Sequence, residues 1–213
     1  MPGKFHHETL YRGGEFLARI ADTPLTVCGA GAIGSHLADS LARQGCARLK
    51  VIDKDRIDEH NVGTQLYGQA EVGGWKVDVL KQRLFRATGV EIDAVRKELT
   101  AGNAAAQLKG AAVVVDCFDN TASRQTVQSA CRAQGLACLH VGLAADYCEV
   151  IWDEHYRVPQ QAGPDVCDYP LARHIILLSV VIAGEALLRY LLTGERQNWS
   201  GTLADFAIRP WEA

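Results

Sequence analysis

Three glycines and a set of charged and amide side chains could do chemistry in this sequence. Gly29, Gly31 and Gly34 form the spacing G-x-G-x-x-G, directly after an apolar run that starts at Leu25. Glycines at this spacing let a nucleotide approach the backbone, and the helix that they open offers free N–H groups to a phosphate. Asp53 follows about 20 residues later, where such folds bind a ribose hydroxyl. These features together predict a nucleotide-binding site.

A strand, a helix and a second strand must position these residues. The apolar run at Leu25 predicts the first strand, and the apolar face of residues 35–44 predicts a helix that packs on a sheet. Residues 48–53 predict the second strand. Residues 111–115 are apolar throughout, which is typical of a strand buried on both faces of a parallel sheet. We predict an α/β, Rossmann-like, doubly wound fold with a mostly parallel sheet.

The remaining elements extend this unit. We predict further strands at residues 91–99, 137–142, 148–152 and 202–208, and further helices at about 72–87, 101–109, 121–134 and 171–192. The short turn between the strands at 137–142 and 148–152 predicts an antiparallel extension of the sheet. We expect one domain over residues 1–213, consisting of an N-terminal helical arm (1–24), a nucleotide-binding core (25–150), a crossover loop (153–170) and a late helix and strand (171–208).

The composition excludes several classes of partner. With 22 basic and 25 acidic residues the net charge is −3, which does not favour nucleic acid or an anionic membrane. We see no charged leader followed by an apolar core, so we expect no secretory signal. Glu185 and Arg189 interrupt the apolar stretch 175–192, which predicts a buried helix rather than a membrane span. The seven cysteines are odd in number, which fits reduced thiols in a cytoplasmic protein.

A second group of polar residues lies beyond the predicted strands. Asp119 and Asn120 follow the buried strand, and Arg124 lies one helical turn later, facing back toward the edge of the sheet if Asn120 caps the helix. Because the carboxyl ends of parallel strands meet at one edge, Asp53 and Asp119 should lie there with the glycine loop. The crossover after Asp53 supplies residues that can bind phosphate or ribose, namely Asp55, Asn61, Gln65 and Lys76.

These residue types favour ATP and magnesium as ligands. A lysine neutralises phosphate charge, amides donate to phosphate or ribose oxygens, and an aspartate at a strand end holds Mg²⁺. An NAD-dependent oxidoreductase would use the glycines and Asp53, but it would leave Lys76 and Asp119 without a role.

Taken in order, these segments resemble the ThiF/MoeB family of ubiquitin-activating-type adenylating enzymes. The resemblance rests on GAGAIG, DKDRIDEHN, Gln65, VGGWK and DCFDN followed by Arg124, and it covers about residues 25–150. It implies that ATP lies across the glycine loop. It also implies that the C-terminal glycine carboxylate of a ubiquitin-like or sulfur-carrier protein, ending in Gly-Gly, attacks the α-phosphate, giving an acyl-adenylate and pyrophosphate. A homodimer is the expectation for this family.

The resemblance also implies a role for each matching residue. Asp53 would bind the ribose, Lys76 the phosphates and Asp119 Mg²⁺, while Asn61 and Gln65 would line the phosphate site. The carboxylate and the phosphate that it attacks are both anions, so their charge must be neutralised before they react. A lysine and a metal ion do this, and such electrostatic stabilisation is usually the largest catalytic contribution.

The sequence departs from the family at Thr64. Family members usually carry arginine directly before the glutamine, in N-L-x-R-Q, whereas this chain reads Asn61-Val-Gly-Thr64-Gln65. Either another arginine substitutes, or catalysis is slow, or adenylation has been given up for binding alone. Arg12 is our candidate substitute, because Tyr11-Arg12 falls where family members place an N-terminal arginine that reaches into the neighbouring subunit's site.

Two further departures concern cysteines. Many family members carry zinc on C-x-x-C pairs, and no such pair occurs here, so we expect no structural zinc. Some members use a cysteine in the loop before the late helix to take the acyl group from the adenylate, and Cys167 lies in that loop. A helix N-terminus would lower the pKa of the Cys167 thiol, whereas Asp165 and Asp168 would raise it, so nucleophile and bystander both stay open.

Three functions therefore follow from the sequence. The first is ATP-dependent adenylation of a carrier protein. The second is a non-catalytic module that has kept the nucleotide pocket and recruits a carrier, which Thr64 would favour. The third is an NAD-dependent oxidoreductase, which would bind its cofactor without Mg²⁺.

Overall fold

An eight-stranded sheet forms the centre of the computed structural model, which describes residues 3–160 and 170–212. The strands are β1 (Leu25–Cys28), β2 (Leu49–Ile52), β3 (Asp93–Val95), β4 (Val113–Asp116), β5 (Ala137–Ala144), β6 (Tyr147–Trp152), β7 (Trp199–Thr202) and β8 (Ala207–Pro210). They lie in the order β3-β2-β1-β4-β5-β6-β7-β8. The first five in this order run parallel, and β6, β7 and β8 continue the sheet antiparallel. The predicted fold class is confirmed.

Helices cover both faces of the sheet. They are α1 (His6–Arg12), α2 (Gly14–Asp22), α3 (Ala32–Arg43), α4 (Lys76–Thr88), α5 (Ala104–Leu108), α6 (Thr121–Gln134) and α7 (Arg173–Thr193), with 3₁₀ turns at Glu59–Asn61 and Gln69–Glu71. Side chains of α2, α3, α4 and α7 share one core cluster with Val27 and Val115, whereas α5 and α6 share the other with Cys28 and Val114. Successive residues of one strand point to opposite faces, which produces these two layers.

The strands at the centre of the sheet follow from their composition. All four residues of β1 and of β4 are buried, as the apolar runs predict for strands covered on both faces. Val27 pairs with Val51 on one side and with Val115 on the other. The carboxyl ends of β1, β2 and β4 therefore lie side by side at one edge of the sheet.

Several element boundaries differ from the prediction. The predicted last strand at 202–208 is interrupted by a hairpin turn at 203–206 between β7 and β8, because the Thr202 hydroxyl accepts a hydrogen bond from the N–H of Ala204 and Phe206 takes a φ of 54°. The predicted strand at 91–99 is reduced to β3, since the N–H of Lys97 turns back to the carbonyl of Val95. The N-terminal arm is two helices divided at Gly13, whose φ of 87° favours glycine.

Helix α7 is long and apolar enough to cross a membrane by length and composition. It packs against α3 and against β5, β6 and β7, and just over half of its most apolar stretch is buried there. Glu185, near its middle, pairs with Arg12 of α1. These contacts confirm the prediction for one side of α7, which packs in the protein core, whereas Leu177, Val181 and Leu192 are exposed.

Six of the seven cysteines lie in the described part of the chain, and all six are buried free thiols. Burial raises the pKa of Cys46 to about 12 and that of Cys148 to about 11. Such thiols carry almost no thiolate at neutral pH and are chemically inert. Cys167 lies outside the described residues.

Candidate nucleotide-binding site

The glycine loop lies between the carboxyl end of β1 and the first turn of α3. The N–H of Gly29 donates to the carbonyl of Ile52 (2.8 Å), and its φ of 97° favours glycine. A Cβ on Gly34 would lie 1.9 Å from the carbonyl oxygen of Gly29, so this turn admits only glycine there. A Cβ on Gly31 would meet its nearest neighbour, Gln65 Nε2, only at 4.0 Å. The first and third glycines are thus needed for folding, and the second leaves space for a ligand.

Asp53 lies next to this loop, directly after β2. Its carboxylate accepts hydrogen bonds from the N–H of Ala30 (2.6 Å) and from the N–H of Asp55 (2.7 Å). Burial raises the pKa of Asp53, against the opposing effects of the Lys76 charge and of these two N–H groups. Each carboxylate oxygen can accept a second hydrogen bond, so Asp53 can still receive a ribose hydroxyl.

Lys76 places a positive charge beside these carboxylates. It is the first residue of α4, its side chain is 9% exposed, and its Nζ lies 3.5 Å from Asp55 Oδ2. A cation at a helix N-terminus opposes the helix dipole, and burial removes much of its hydration. Asp53 and Asp55 offset this cost in part, and an anionic phosphate would offset more of it.

The turn that holds Asn61 and Gln65 packs against the first turn of α3. The N–H of Leu66 donates to Ser35 Oγ (3.1 Å), and the Thr64 carbonyl lies 3.2 Å from His36 Nε2. Asn61 is buried, and its Oδ1 accepts from the N–H of Asp58 (2.9 Å).

The amide of Gln65 is directed toward the glycine loop. Its Oε1 is buried and has no hydrogen-bond partner among the residues that the structure describes. A buried amide oxygen without a partner is costly, and a bound polar ligand would remove that cost. The placement fits the predicted role of Gln65 in lining a phosphate or ribose site.

Asp119 and Asn120 lie at the same edge, after β4. Asp119 is exposed, and Asn120 caps α6 by accepting from the N–H of Ser123 (2.8 Å), as predicted. Across residues 3–160 and 170–212, no group of three or more potential ligands could hold a metal by itself. Mg²⁺ is commonly bound by one or two carboxylates together with substrate phosphates, and a single exposed aspartate beside a phosphate site fits that arrangement.

Arg124 does not lie at the exposed edge where we expected it. Its guanidinium is buried beneath the edge and donates to Tyr156 Oη (2.9 Å) and to the Val141 carbonyl (2.9 Å), and it lies 3.8 Å from Asp116 Oδ2. The helix turns Arg124 toward β5. These contacts support a structural role, and nucleotide binding by Arg124 stays a prediction.

A buried charge network that sequence reasoning missed lies directly below this edge. His140 of β5 is fully buried, with Nδ1 2.9 Å from Asp116 Oδ2 and Nε2 3.3 Å from Asp153 Oδ1. Its ring stacks on Tyr156 with centroids 3.9 Å apart. Burial lowers the pKa of His140, but the hydrogen bonds to the two carboxylates outweigh burial and raise it. Asp116 also accepts from the N–H of Phe118 (3.1 Å), so the network fixes the loop that carries Asp119.

Comparison with known proteins identifies the chain. The ThiF family model matches residues 8–162, which is well over half of the sequence. The chain belongs to the ThiF family. The family membership inferred from the glycine loop, Lys76 and the DCFDN segment is confirmed.

Individual ThiF-type relatives match over shorter parts of their length. The chain is 34% identical over 119 residues to mouse "Adenylyltransferase and sulfurtransferase MOCS3", covering 55% of this chain and 26% of that protein. It is 26% identical over 156 residues to Bacillus subtilis "Sulfur carrier protein ThiS adenylyltransferase", covering 69% of this chain and 46% of that protein. The chain thus spans about a quarter to a half of the length of these curated relatives.

The fold is also that of a solved structure. The Escherichia coli tRNA N6-threonylcarbamoyladenosine dehydratase TcdA, determined in complex with ATP, has a TM-score of 0.77 to this chain at 18% identity. The match covers 90% of this chain and 94% of TcdA. At this identity the likeness is evidence for the fold alone.

Two predicted catalytic residues of this ThiF-family chain are not seen at the glycine loop. Arg12 lies in another part of the structure, and Cys167 lies outside the described residues. Arg12 pairs with Glu8 (2.7 Å) and with Glu185 of α7, and its charge acts on Cys46, just beyond the far end of α3 from the glycine loop. Its role in a neighbouring subunit's site stays a prediction. Cys167 falls in the undescribed segment 161–169, so its role as an acyl acceptor also stays a prediction.

Proposed function

We propose that this ThiF-family chain is a single adenylation domain that uses ATP to activate the C-terminal glycine carboxylate of a ubiquitin-like or sulfur-carrier protein. One observation carries the proposal, namely the convergence of complementary groups at one edge of the sheet. The glycine loop opens α3, Asp53 and Lys76 flank it, the Gln65 amide is directed toward it, and Asp119 follows the neighbouring strand.

The reaction joins two anions that repel each other, and the groups at this edge can reduce that repulsion. A carboxylate oxygen of the carrier attacks the α-phosphorus of ATP, the bond from that phosphorus to the bridging oxygen breaks, and pyrophosphate leaves with the electron pair. Lys76 and the N-terminus of α3 would oppose the phosphate charge, and Asp53 would orient the ribose. Asp119 would hold Mg²⁺, which when bound neutralises charge on the phosphates.

The relatives support the proposed substrate and partner. The name of the Bacillus subtilis protein gives a sulfur carrier as its substrate, and the mouse protein is named as an adenylyltransferase. TcdA, of the same fold, was solved with ATP. We further propose a cytoplasmic homodimer, in keeping with the family resemblance and with the reduced cysteines of the described part of the chain.

Thr64 favours a second candidate, a module that binds nucleotide and carrier without adenylation. A guanidinium that contacts the phosphates in the transition state is commonly worth on the order of a hundredfold in rate, and the threonine hydroxyl carries no charge. Family membership favours either candidate over an NAD-dependent oxidoreductase.

Exchange of label between pyrophosphate and ATP, with carriers ending in Gly-Gly, tests adenylation. We expect carrier-dependent exchange in the wild-type chain and a loss of at least about a hundredfold in Asp119→Ala, because one carboxylate holds the metal. Asp22→Ala is the matched control, since Asp22 is an exposed aspartate that ends α2 near the opposite edge of the sheet. Nucleotide binding without exchange for any carrier would replace this proposal with the binding module.

The thioester step is tested separately at Cys167. If the thiolate attacks the acyl-adenylate carbonyl, AMP leaves and a carrier adduct forms that reductant cleaves. We expect this adduct after incubation with ATP and carrier, and its loss in Cys167→Ala with exchange retained. Recovery of the same adduct from Cys167→Ala would exclude this cysteine from the reaction.

A further inference from the structure

The turn that carries Thr64 receives a guanidinium from a distant part of the chain. Arg173 Nη1 donates to the Gly63 carbonyl at 2.9 Å, across 110 residues of sequence. Among the residues that the structure describes, Arg173 is the one arginine or lysine whose side chain is hydrogen bonded to the turn at 61–66. Gly63 directly precedes the position at which family members place arginine.

Both sides of this contact are fixed by other hydrogen bonds. On one side, Ser35 and His36 of α3 bind the turn at Leu66 and Thr64. On the other side, the start of α7 is bound to the β5–β6 turn, since the N–H of Ala172 donates to the Ala145 carbonyl (3.1 Å) and the N–H of Ala145 donates to the Pro170 carbonyl (3.0 Å). Arg173, the first residue of α7, is therefore presented to the turn by the folded chain.

The site needs a second positive charge to bind a triphosphate, because two carboxylates lie close to Lys76. Lys76 is the cation that we assign to the phosphates, but its Nζ lies 3.5 Å from Asp55 Oδ2 and its charge also acts on the Asp53 carboxylate. Much of its charge is offset before a phosphate binds. Arg173 lies near His36 in the first turns of α3, where burial and the Arg173 charge both lower the pKa of the imidazole.

We propose that Arg173 replaces the missing arginine at position 64 and contacts the triphosphate of ATP from the start of α7. The inference rests on the proposed function and assigns a catalytic residue to it. A guanidinium presents five donors in a planar fork, so one N–H can bind the Gly63 carbonyl while others bind phosphate oxygens. The arginine would thus come from position 173 instead of position 64, and the positive charge at the turn would be retained.

Four variants test the assignment: Arg173→Ala, Arg173→Lys, the double variant Arg173→Ala with Thr64→Arg, and Arg48→Ala. Arg48 is the matched control because it is also exposed and also donates to a backbone carbonyl, that of Asp22 (3.0 Å), but at the opposite edge of the sheet. Calorimetric affinities for ATP and for AMP are measured first, and pyrophosphate exchange second. Thermal unfolding checks that each variant is folded.

We expect Arg173→Ala to weaken ATP binding about ten- to a hundredfold, as for the loss of a charged hydrogen bond, with a much smaller change for AMP. Exchange should fall on the order of a hundredfold. Arg173→Lys should keep part of the affinity for ATP, and Thr64→Arg should restore affinity and exchange to Arg173→Ala. Arg48→Ala should match the wild type in both assays.

Failure of this inference differs from failure of the proposed function. Wild-type affinity and exchange in Arg173→Ala, or equal weakening of ATP and AMP, would overturn the role of Arg173 and leave adenylation standing. Absence of exchange in the wild type would overturn adenylation, while selective loss of ATP affinity in Arg173→Ala would still support the contact. A wild-type chain that binds no ATP would overturn both.

Discussion

Gly34→Ala is expected to destabilise the protein and to abolish nucleotide binding. The added Cβ would lie 1.9 Å from the carbonyl oxygen and 2.9 Å from the carbonyl carbon of Gly29, and both are backbone atoms. A flexible side chain could move away, but here the glycine loop itself must shift. We expect a loss of about 3 kcal/mol in the free energy of unfolding, at the upper end for overpacking, and a melting temperature lower by about 6–12 °C.

Gly184→Ala is the matched control for this prediction. Gly184 is also buried within a helix, yet its added Cβ would meet its nearest neighbour, Leu37 Cδ1, only at 4.0 Å. Alanine favours the helix over glycine by about 0.5–1 kcal/mol, so this variant should melt at or above the wild-type temperature. Circular dichroism gives the melting temperatures, and calorimetry with ATP gives binding. A Gly34→Ala protein that melts with the wild type and binds ATP would contradict the assigned geometry of the loop.

The parts of the fold that could be predicted are those fixed by local chemistry. The predicted bounds of α6 are the observed ones, because Asn120 caps the helix and Gly135, with a φ of 64°, ends it. The glycine spacing predicted the turn before α3, since the close approach of Gly34 to Gly29 lies within one short loop. Buried strands such as β4 were visible as apolar runs.

The parts that could not be predicted depend on contacts between distant segments. Arg124 has the spacing of an arginine that faces the edge, but Tyr156 and the Val141 carbonyl draw it inward once β5 is in place. A single histidine in an apolar strand gives no sign that Asp116 and Asp153 lie on both sides of it. The role that we propose for Arg173 depends on its hydrogen bond to Gly63, which lies 110 residues away in the sequence.

The buried network around His140 joins the parallel part of the sheet to its antiparallel extension. Asp116 ends the parallel strand β4, and Asp153 follows the antiparallel strand β6. Both ring nitrogens of His140 face carboxylates, so the arrangement is fully satisfied only when both donate, as in the protonated imidazolium. The charged neighbours are Asp116, Asp153 and Arg124, with the more exposed Arg132 paired to Asp153 at 2.7 Å. Protonated His140 thus donates to both carboxylates, whose negative charge Arg124 and Arg132 also offset.

Asp116→Asn should therefore cost about 3–5 kcal/mol of unfolding free energy, the usual result of removing one partner from a buried ion pair. The amide keeps an oxygen for the N–H of Phe118, but it leaves His140 and Arg124 without their shared carboxylate. Urea unfolding at pH 6 measures the loss, with Asp22→Ala as an exposed control expected within about 0.5 kcal/mol of the wild type.

The cost of Asp116→Asn should depend on pH in a defined direction. The raised pKa of His140 means that its contribution to stability is complete below its ordinary value of 6.5 and is lost as pH rises through the raised value. Burial raises the pKa of Asp153, but hydrogen bonds from His140 and Arg132 outweigh burial and lower it, so its contribution is complete above 3.8 and is lost on acidification. Both contributions are present together between about pH 4 and 6.5.

We expect the difference in unfolding free energy between wild type and Asp116→Asn to be largest in that window and to shrink above the raised pKa of His140. His36, whose pKa burial lowers, titrates alike in both proteins and cancels from the difference. His140→Gln should remove this pH dependence, because the titration of His140 is what produces it. Equal differences at pH 5.5 and pH 9 would mean that His140 is neutral in the folded protein, and Arg124 and Arg132 would then be the cations that offset the two carboxylates.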